Sequence, residues 1–174
     1  MLKERIRTIP DFPKKGIQFR DVTTLLKDPV GLTEMAECFY EQYKNTDIDY
    51  VAGIEARGFI VGAIIADRLK KGFIPIRKPG KLPGEKIRLD YDLEYGKDAV
   101  EIHKDALSHG DKVLLVDDLL ATGGTALASI KLIEKLGAVV SETAFIVNLP
   151  DLKGQESLEK NGYRVFSLCA FEGD

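Results

Sequence analysis

The residues with the plainest chemistry lie between Val113 and Ala126. Four apolar β-formers, Val113 to Val116, run into two adjacent carboxylates, Asp117 and Asp118, and a turn of small residues from Ala121 to Thr125 follows. A short apolar run bounded by acids reads as a buried central strand, and the carboxyl ends of such strands are where open α/β sheets place ligands. Two carboxylates there can accept hydrogen bonds from a sugar diol. The turn carries no bulky side chain, so the backbone N–H groups of Thr122, Gly123, Gly124 and Thr125 can close on a phosphate at the positive end of the following helix. The hydroxyls of Thr122 and Thr125 add donors. An acidic face beside an anion cradle fits a phosphorylated sugar. The alternative is a purely structural Gly-Gly turn, but two unpaired carboxylates at a strand end repel each other unless a ligand or cation uses them. No Gly-Lys-Ser/Thr follows the turn and the Gly-x-Gly-x-x-Gly spacing is absent, which excludes a Walker A loop and a dinucleotide fingerprint.

Strands alternating with helices must position that segment. Asp28-Pro29 opens a helix, with Asp as cap and Pro at the first helical position, and the helix is predicted from about Pro29 to Lys44. Tyr50 to Ile54 is a short apolar strand. From Gly58 to Lys70, apolar residues recur mostly at helical spacing, and Gly72 is expected to stop the helix. Phe73 to Arg77 returns as a strand. A second unit follows: Val113 to Asp117, a helix from about Thr125 to Leu136 with Leu127, Ile130, Ile133 and Leu136 as its buried stripe, and a strand from Val139 to Asn148. The expectation is a single-domain α/β fold, a mainly parallel sheet flanked by helices.

Between the two units, Lys78 to about Tyr95 holds Pro79, Gly80, Pro83 and Gly84. Here Arg77, Lys78, Lys81, Lys86 and Arg88 cluster around a single acid, Glu85. The stretch continues into Asp98 to His103, which alternates like a half-exposed strand. A long charged loop with strand-like ends reads as a mobile flap or hairpin with a function.

The bulk properties fit this picture. A chain of 174 residues, 44% hydrophobic and 30% charged, suits one domain with no room for a second. A formal net charge of −3 offers no general attraction for nucleic acid. Met1 to Arg7 is charged and no long apolar stretch occurs, so no membrane association is expected and the cytoplasm is the expected compartment. Cys38 and Cys169 are far apart and lack metal-ligand spacing, so both are expected as buried thiols. His103 and His109 lack a partner pattern and are expected to be non-catalytic.

Asp117 to Thr125 resembles the phosphoribosyl-pyrophosphate motif of the type I phosphoribosyltransferases, and its wording, Asp-Asp-Leu-Leu-Ala-Thr-Gly-Gly-Thr, is similar to the adenine-accepting branch of that family. Four further segments resemble the same branch in the expected order. They are Asp11-Phe12-Pro13 through Gly16-Ile17-Gln18-Phe19-Arg20-Asp21, Glu55-Ala56-Arg57-Gly58-Phe59, Arg77-Lys78-Pro79-Gly80-Lys81-Leu82-Pro83 and Leu93-Glu94-Tyr95-Gly96. The resemblance spans nearly the whole chain. It implies one phosphoribosyltransferase domain over residues 1–174, with residues 1–30 as a base-recognition segment or hood and about 78–103 as a flexible catalytic loop.

The reaction so implied joins adenine to phosphoribosyl pyrophosphate, giving AMP and pyrophosphate, a purine-salvage step through an oxocarbenium-like transition state. Pre-placed charges and exclusion of water then matter most. The resemblance gives Asp117 and Asp118 to the ribose hydroxyls, directly or through Mg²⁺, and Ala121, Thr122, Gly123, Gly124 and Thr125 to the 5-phosphate. Arg57, at a strand-to-helix turn, is expected to clamp pyrophosphate; the plainer alternative is a salt bridge with Glu55. Lys78 and Lys81 are expected on pyrophosphate too. Glu94 and Tyr95 resemble the catalytic-loop pair that closes over the site, Glu94 with a part in proton transfer or else as a solvated carboxylate. Phe19 is expected to stack on the base, or to serve as core packing. Arg20 would shape the pocket edge, and Leu119 with Leu120 an apolar floor. Relatives acting on 6-oxopurines place Asp where this chain has Ala121, which favours adenine. Magnesium is the implied cofactor, arriving mainly with pyrophosphate rather than at a dedicated site, and a homodimer is the implied assembly. A sibling enzyme for another base and a non-catalytic regulator are the competing readings, both disfavoured by these residues.

Overall fold

The apolar runs of the sequence become a five-stranded parallel sheet in a computed structural model that describes residues 1–93 and 96–173. A hairpin of β1 (Arg7–Pro10) and β2 (Gln18–Asp21) comes first, then α1 (Thr23–Lys27) and α2 (Pro29–Tyr43). The first crossover is β3 (Tyr50–Ile54), α3 (Arg57–Leu69) and β4 (Gly72–Ile76). An antiparallel pair, β5 (Lys86–Asp92) and β6 (Lys97–His103), precedes β7 (Lys112–Leu120), α4 (Gly124–Lys135) and β8 (Val139–Asn148), and α5 (Gly154–Lys160) and β9 (Val165–Ala170) complete the chain. The sheet order is β4-β3-β7-β8-β9.

Period-two alternation explains why these strands are apolar throughout. Val51, Leu114 and Val116 turn to a core shared with Phe39 of α2 and with Val61 and Ile65 of α3. Their neighbours Ala52, Ile54, Val113 and Leu115 turn to the opposite core, shared with Ile130, Leu132 and Ile133 of α4. Both faces are covered, as a parallel sheet requires. The Asp28 carboxylate accepts from the Val30 amide at 3.0 Å with Pro29 at the first position of α2, the cap that the sequence predicts.

The order of winding reverses between β3 and β7, because the chain moves outward to β4 on one side and to β8 and β9 on the other. Such a reversal opens a crevice at the carboxyl ends of the two strands. Pairing of β3 with β7 stops at Gly53–Val116, whereas β7 stays paired with β8 to Leu120–Asn148. Asp117 to Leu120 therefore overhang β3 and form one wall of the crevice.

Four expectations change. The strand expected to end at Asp117 runs on to Leu120, so Asp117 and Asp118 lie inside β7 rather than at its carboxyl end, since β8 continues the ladder past them. The stop of α3 is Lys70, left-handed at φ 57°, while Gly72 begins β4, where a Cβ would press on the Tyr50 ring at 3.0 Å. The segment 98–103 is not half-exposed: Ala99 to Ile102 are all buried, because Glu101 turns inward to the Gly80 amide and Arg77 pairs with its backbone. Cys38 is exposed and Cys169 half-buried; burial raises the Cys169 thiol to about 11, and Cys38 sits on the outer side of α2. Among the described residues no helix is long and apolar enough to cross a membrane.

Candidate active site

Arg57 opens α3 immediately after β3, across a cis Glu55–Ala56 peptide. Its Nε donates to the Asp118 carboxylate, which is buried, and its guanidinium lies 5.9 Å from the centre of the Phe19 ring. The plainer Arg57–Glu55 pairing does not form. Asp117 is half-buried beside Asp118, whose amide donates to Asp117 Oδ1 at 2.8 Å. Burial first, and then the charge of Asp118, pushes the Asp117 carboxyl well above its ordinary range. A Cβ at Gly58 would lie 2.9 Å from Asp117 Oδ1 and 3.1 Å from the Val116 carbonyl oxygen, so glycine lets α3 begin this close to the acidic pair.

The turn after β7 has the shape its residues suggest. Gly123 takes φ +85° as the residue before α4, a conformation that favours glycine. A cavity of about 90 Å³ is lined by Asp117 and by Leu119 through Ala126. A wider, more open hollow of about 680 Å³ lies at the foot of the hairpin, between Pro83–Glu85 and His103–Asp105, and holds none of the expected site residues.

The cations of the hairpin base are held by two carboxylates that the sequence does not single out. Half-buried Glu55 accepts from Arg77 Nη2 at 3.0 Å, Lys81 Nζ at 2.8 Å and the Lys78 amide at 2.6 Å. Burial alone would raise Glu55, but these donors outweigh it and hold its carboxyl at about 2. Lys78 Nζ pairs with Asp98 and donates to the Tyr91 hydroxyl at 3.1 Å, and that hydroxyl is 2.9 Å from Thr125 Oγ1. The hairpin thus touches the cradle directly.

On the opposite wall, the β1–β2 hairpin presents Phe19, braced edge-on by Phe12 at 5.2 Å. Arg7 and Thr23 both hold Asp21 at the end of β2. Arg20 Nη1 donates to Thr8 at 2.8 Å and its guanidinium stacks 4.6 Å from the centre of Phe171. Phe19, Arg57, Asp117, Asp118 and residues 121–125 therefore meet at one crevice, with Lys78 linked to it through Tyr91 and Lys81 set on Glu55. Leu119 is half-buried in the cavity wall. Glu94 and Tyr95 lie outside the described residues. Among the described residues no group of three or more His, Cys, Asp or Glu could hold a metal ion.

Residues 21–171 match the phosphoribosyl transferase domain family. The chain is 62% identical to adenine phosphoribosyltransferase of Prosthecochloris aestuarii over 99% of both chains. The chain belongs to the adenine phosphoribosyltransferase family. Its fold agrees: adenine phosphoribosyltransferase of Thermoanaerobacter pseudethanolicus superposes with a TM-score of 0.93 at 49% identity, covering 98% of each chain. The Trypanosoma brucei adenine phosphoribosyltransferase, solved with AMP, pyrophosphate and ribose-5-phosphate, gives a TM-score of 0.88 at 27% identity, over 97% of this chain and 78% of that one.

Sequence reasoning passes over Tyr91, Asp98 and Gly154 in this member of the adenine phosphoribosyltransferase family, and gives Glu55 only as an alternative partner for Arg57. Glu55 follows an apolar strand just as Asp117 does, so its strand-end position was a usable signal. Tyr91 and Asp98 face each other across the β5–β6 ladder, Tyr91 being the direct partner of Asp98. That pairing is invisible until the hairpin register is known.

Proposed function

We propose that the protein is a purine-salvage enzyme that transfers the 5-phosphoribosyl group of phosphoribosyl pyrophosphate to adenine, giving AMP and pyrophosphate. The observation that carries this reading is the meeting of Phe19, Arg57, the Asp117–Asp118 pair and the 121–125 cradle at the β3/β7 reversal. The ligands of the Trypanosoma brucei relative are the products of this reaction together with the sugar phosphate.

Each group has a task in this reading. The amides of Ala121 to Thr125 and the Thr122 and Thr125 hydroxyls hold the 5-phosphate, and Asp117 and Asp118 take the ribose hydroxyls. Their negative field favours the positive charge that grows on the ribose ring as its bond to pyrophosphate lengthens. Arg57 then faces pyrophosphate while it keeps Asp118 aligned. Lys78 and Lys81 exchange Asp98 and Glu55 for pyrophosphate oxygens, and Glu94 with Tyr95 closes over the site and excludes water. Phe19 stacks on adenine above an apolar floor that includes Leu119, and Arg20 supports Phe19 from behind the hood. Ala121 offers the purine a methyl group where an acid would select a 6-oxopurine.

The acidic pair also fits Mg²⁺ in a limited way. Two carboxylates packed closely enough to raise the proton affinity of one supply part of a hard-cation shell, and pyrophosphate and water must supply the rest. When bound, the ion would neutralise charge on the departing pyrophosphate. We further propose that the protein works as a homodimer in the cytoplasm. The outward side of α3, with Ile60 48% exposed, offers an apolar face for a second copy, and light scattering tests the assembly.

Incubation of the protein with Mg²⁺, phosphoribosyl pyrophosphate and adenine should yield AMP and pyrophosphate in equal amounts. No AMP would overturn the proposal.

A further inference from the structure

Behind the cradle, the carbonyl oxygen of Ala121 and the nitrogen of Gly123 lie against the backbone of Gly154, the first residue of α5. A Cβ at Gly154 would overlap the Ala121 carbonyl oxygen and lie 3.0 Å from the Gly123 nitrogen. The contact is reciprocal, since a Cβ at Gly123 would lie 3.1 Å from the Gly154 oxygen. All the atoms approached belong to main chain, so no rotamer change can relieve the overlap. The cradle and the start of α5 are thus two backbones in direct contact, made possible by one glycine on each side.

What fixes α5 there is a short chain of amides. Asn148, buried at the carboxyl end of β8, donates from Nδ2 to Gln155 Oε1 at 2.9 Å, and Gln155 Nε2 donates to Glu159 at 2.8 Å. The Leu149 amide donates to the Leu120 carbonyl at 3.0 Å, tying the same strand end to the residue before the cradle. Leu158 seals the far side of α5 in the core below α4.

We propose that Gly154 is a positioning residue for the 5-phosphate, and that α5, held to β8 through Asn148 and Gln155, is the backstop that sets the spacing of the cradle amides. A phosphate cradle works only while its N–H groups converge on one point, and a displacement of the Ala121 peptide would spread them. The proposal rests on the assignment of residues 121–125 to the 5-phosphate. It adds a determinant remote in sequence that touches no substrate.

The test is calorimetric titration of ribose-5-phosphate and of pyrophosphate into the wild type, Gly154→Ala, Gln155→Leu and Thr125→Val, with thermal unfolding of each. Gly154→Ala should weaken ribose-5-phosphate about 10-fold or more while pyrophosphate affinity stays within about 2-fold. Gln155→Leu should weaken ribose-5-phosphate about 2- to 5-fold with the same selectivity. Equal weakening of both ligands, or none, would overturn the positioning role. Should Gly154→Ala fail to fold, Gln155→Leu decides alone: wild-type affinity for ribose-5-phosphate then counts against the backstop. Unchanged ribose-5-phosphate binding in Thr125→Val would instead remove the cradle assignment itself.

Discussion

The hydroxyl of Tyr91 in β5 lies 2.9 Å from the hydroxyl of Thr125 at the start of α4, and it also meets Asp98 and Lys78. A phenol has one hydrogen. With that hydrogen on the Asp98 carboxylate, Thr125 donates its own to Tyr91 and must turn it away from Tyr91 to bind a phosphate. The phosphate binding proposed for the cradle and the pairing of Lys78 would therefore be coupled through one oxygen atom. Tyr91→Phe should free Thr125 and lower KM for phosphoribosyl pyrophosphate about 2- to 5-fold, the worth of one neutral hydrogen bond. Initial rates at saturating adenine check this, and a raised KM would show that Tyr91 aids phosphate binding instead.

Arg57 serves two partners at once, Asp118 and the Phe19 ring. Arg57→Ala should reduce kcat/KM about 10- to 100-fold, the scale of a lost charge-assisted bond. Arg57→Lys should recover little, because an ammonium cannot match the planar fork that pairs and stacks. Full recovery in the lysine variant would mean that only the charge matters.

Asp117 is held with its carboxyl pKa raised by burial and by Asp118. A raised folded-state pKa means that the folded chain binds this proton more tightly than the unfolded chain, so stability falls as pH rises through the unfolded value toward the folded one. At neutral pH this carboxyl therefore costs stability relative to a neutral side chain. Asp117→Asn should therefore keep or raise Tm at pH 7 while lowering kcat about 100-fold or more. Thermal unfolding and turnover measured on the same preparation separate the two effects.

Glu55 has the opposite sign. Its carboxyl is lowered from 4.5 to about 2, so its contribution is complete above the ordinary value and is lost as pH falls from 4.5 toward 2. Wild-type Tm should drop through that window. Glu55→Gln should start lower at pH 7 and show a shallower acid decline. Identical pH profiles for the two proteins would deny Glu55 this role.

Much of this site was legible from local sequence, for reasons that differ by segment. The Asp117–Asp118 pair and its turn could be placed because a buried strand, a carboxylate pair and a small-residue turn each have a strong local signature. The β3–α3–β4 unit showed clear periodicity for the same reason. Tyr91 and Asp98 were not legible, because their meaning depends on pairings set by the hairpin register and by the docking of β6 beside β4. Gly154 sits 33 positions beyond Ala121 by number, and nothing local marks it; only the packing of α5 against the turn reveals the need for a missing side chain. The failure at Gly72 has a related cause: its missing side chain answers the Tyr50 ring on the adjacent strand, not a helix end.

The central claim is that this crevice joins phosphoribosyl pyrophosphate to adenine in preference to other purines. It is tested most directly by competition: equal concentrations of adenine, hypoxanthine and guanine with limiting phosphoribosyl pyrophosphate and Mg²⁺, and the nucleotides resolved by mass. AMP should account for nearly all the product, as expected of a pocket that carries Ala121 in place of an acid. Comparable amounts of IMP or GMP, or no nucleotide at all, would contradict the account.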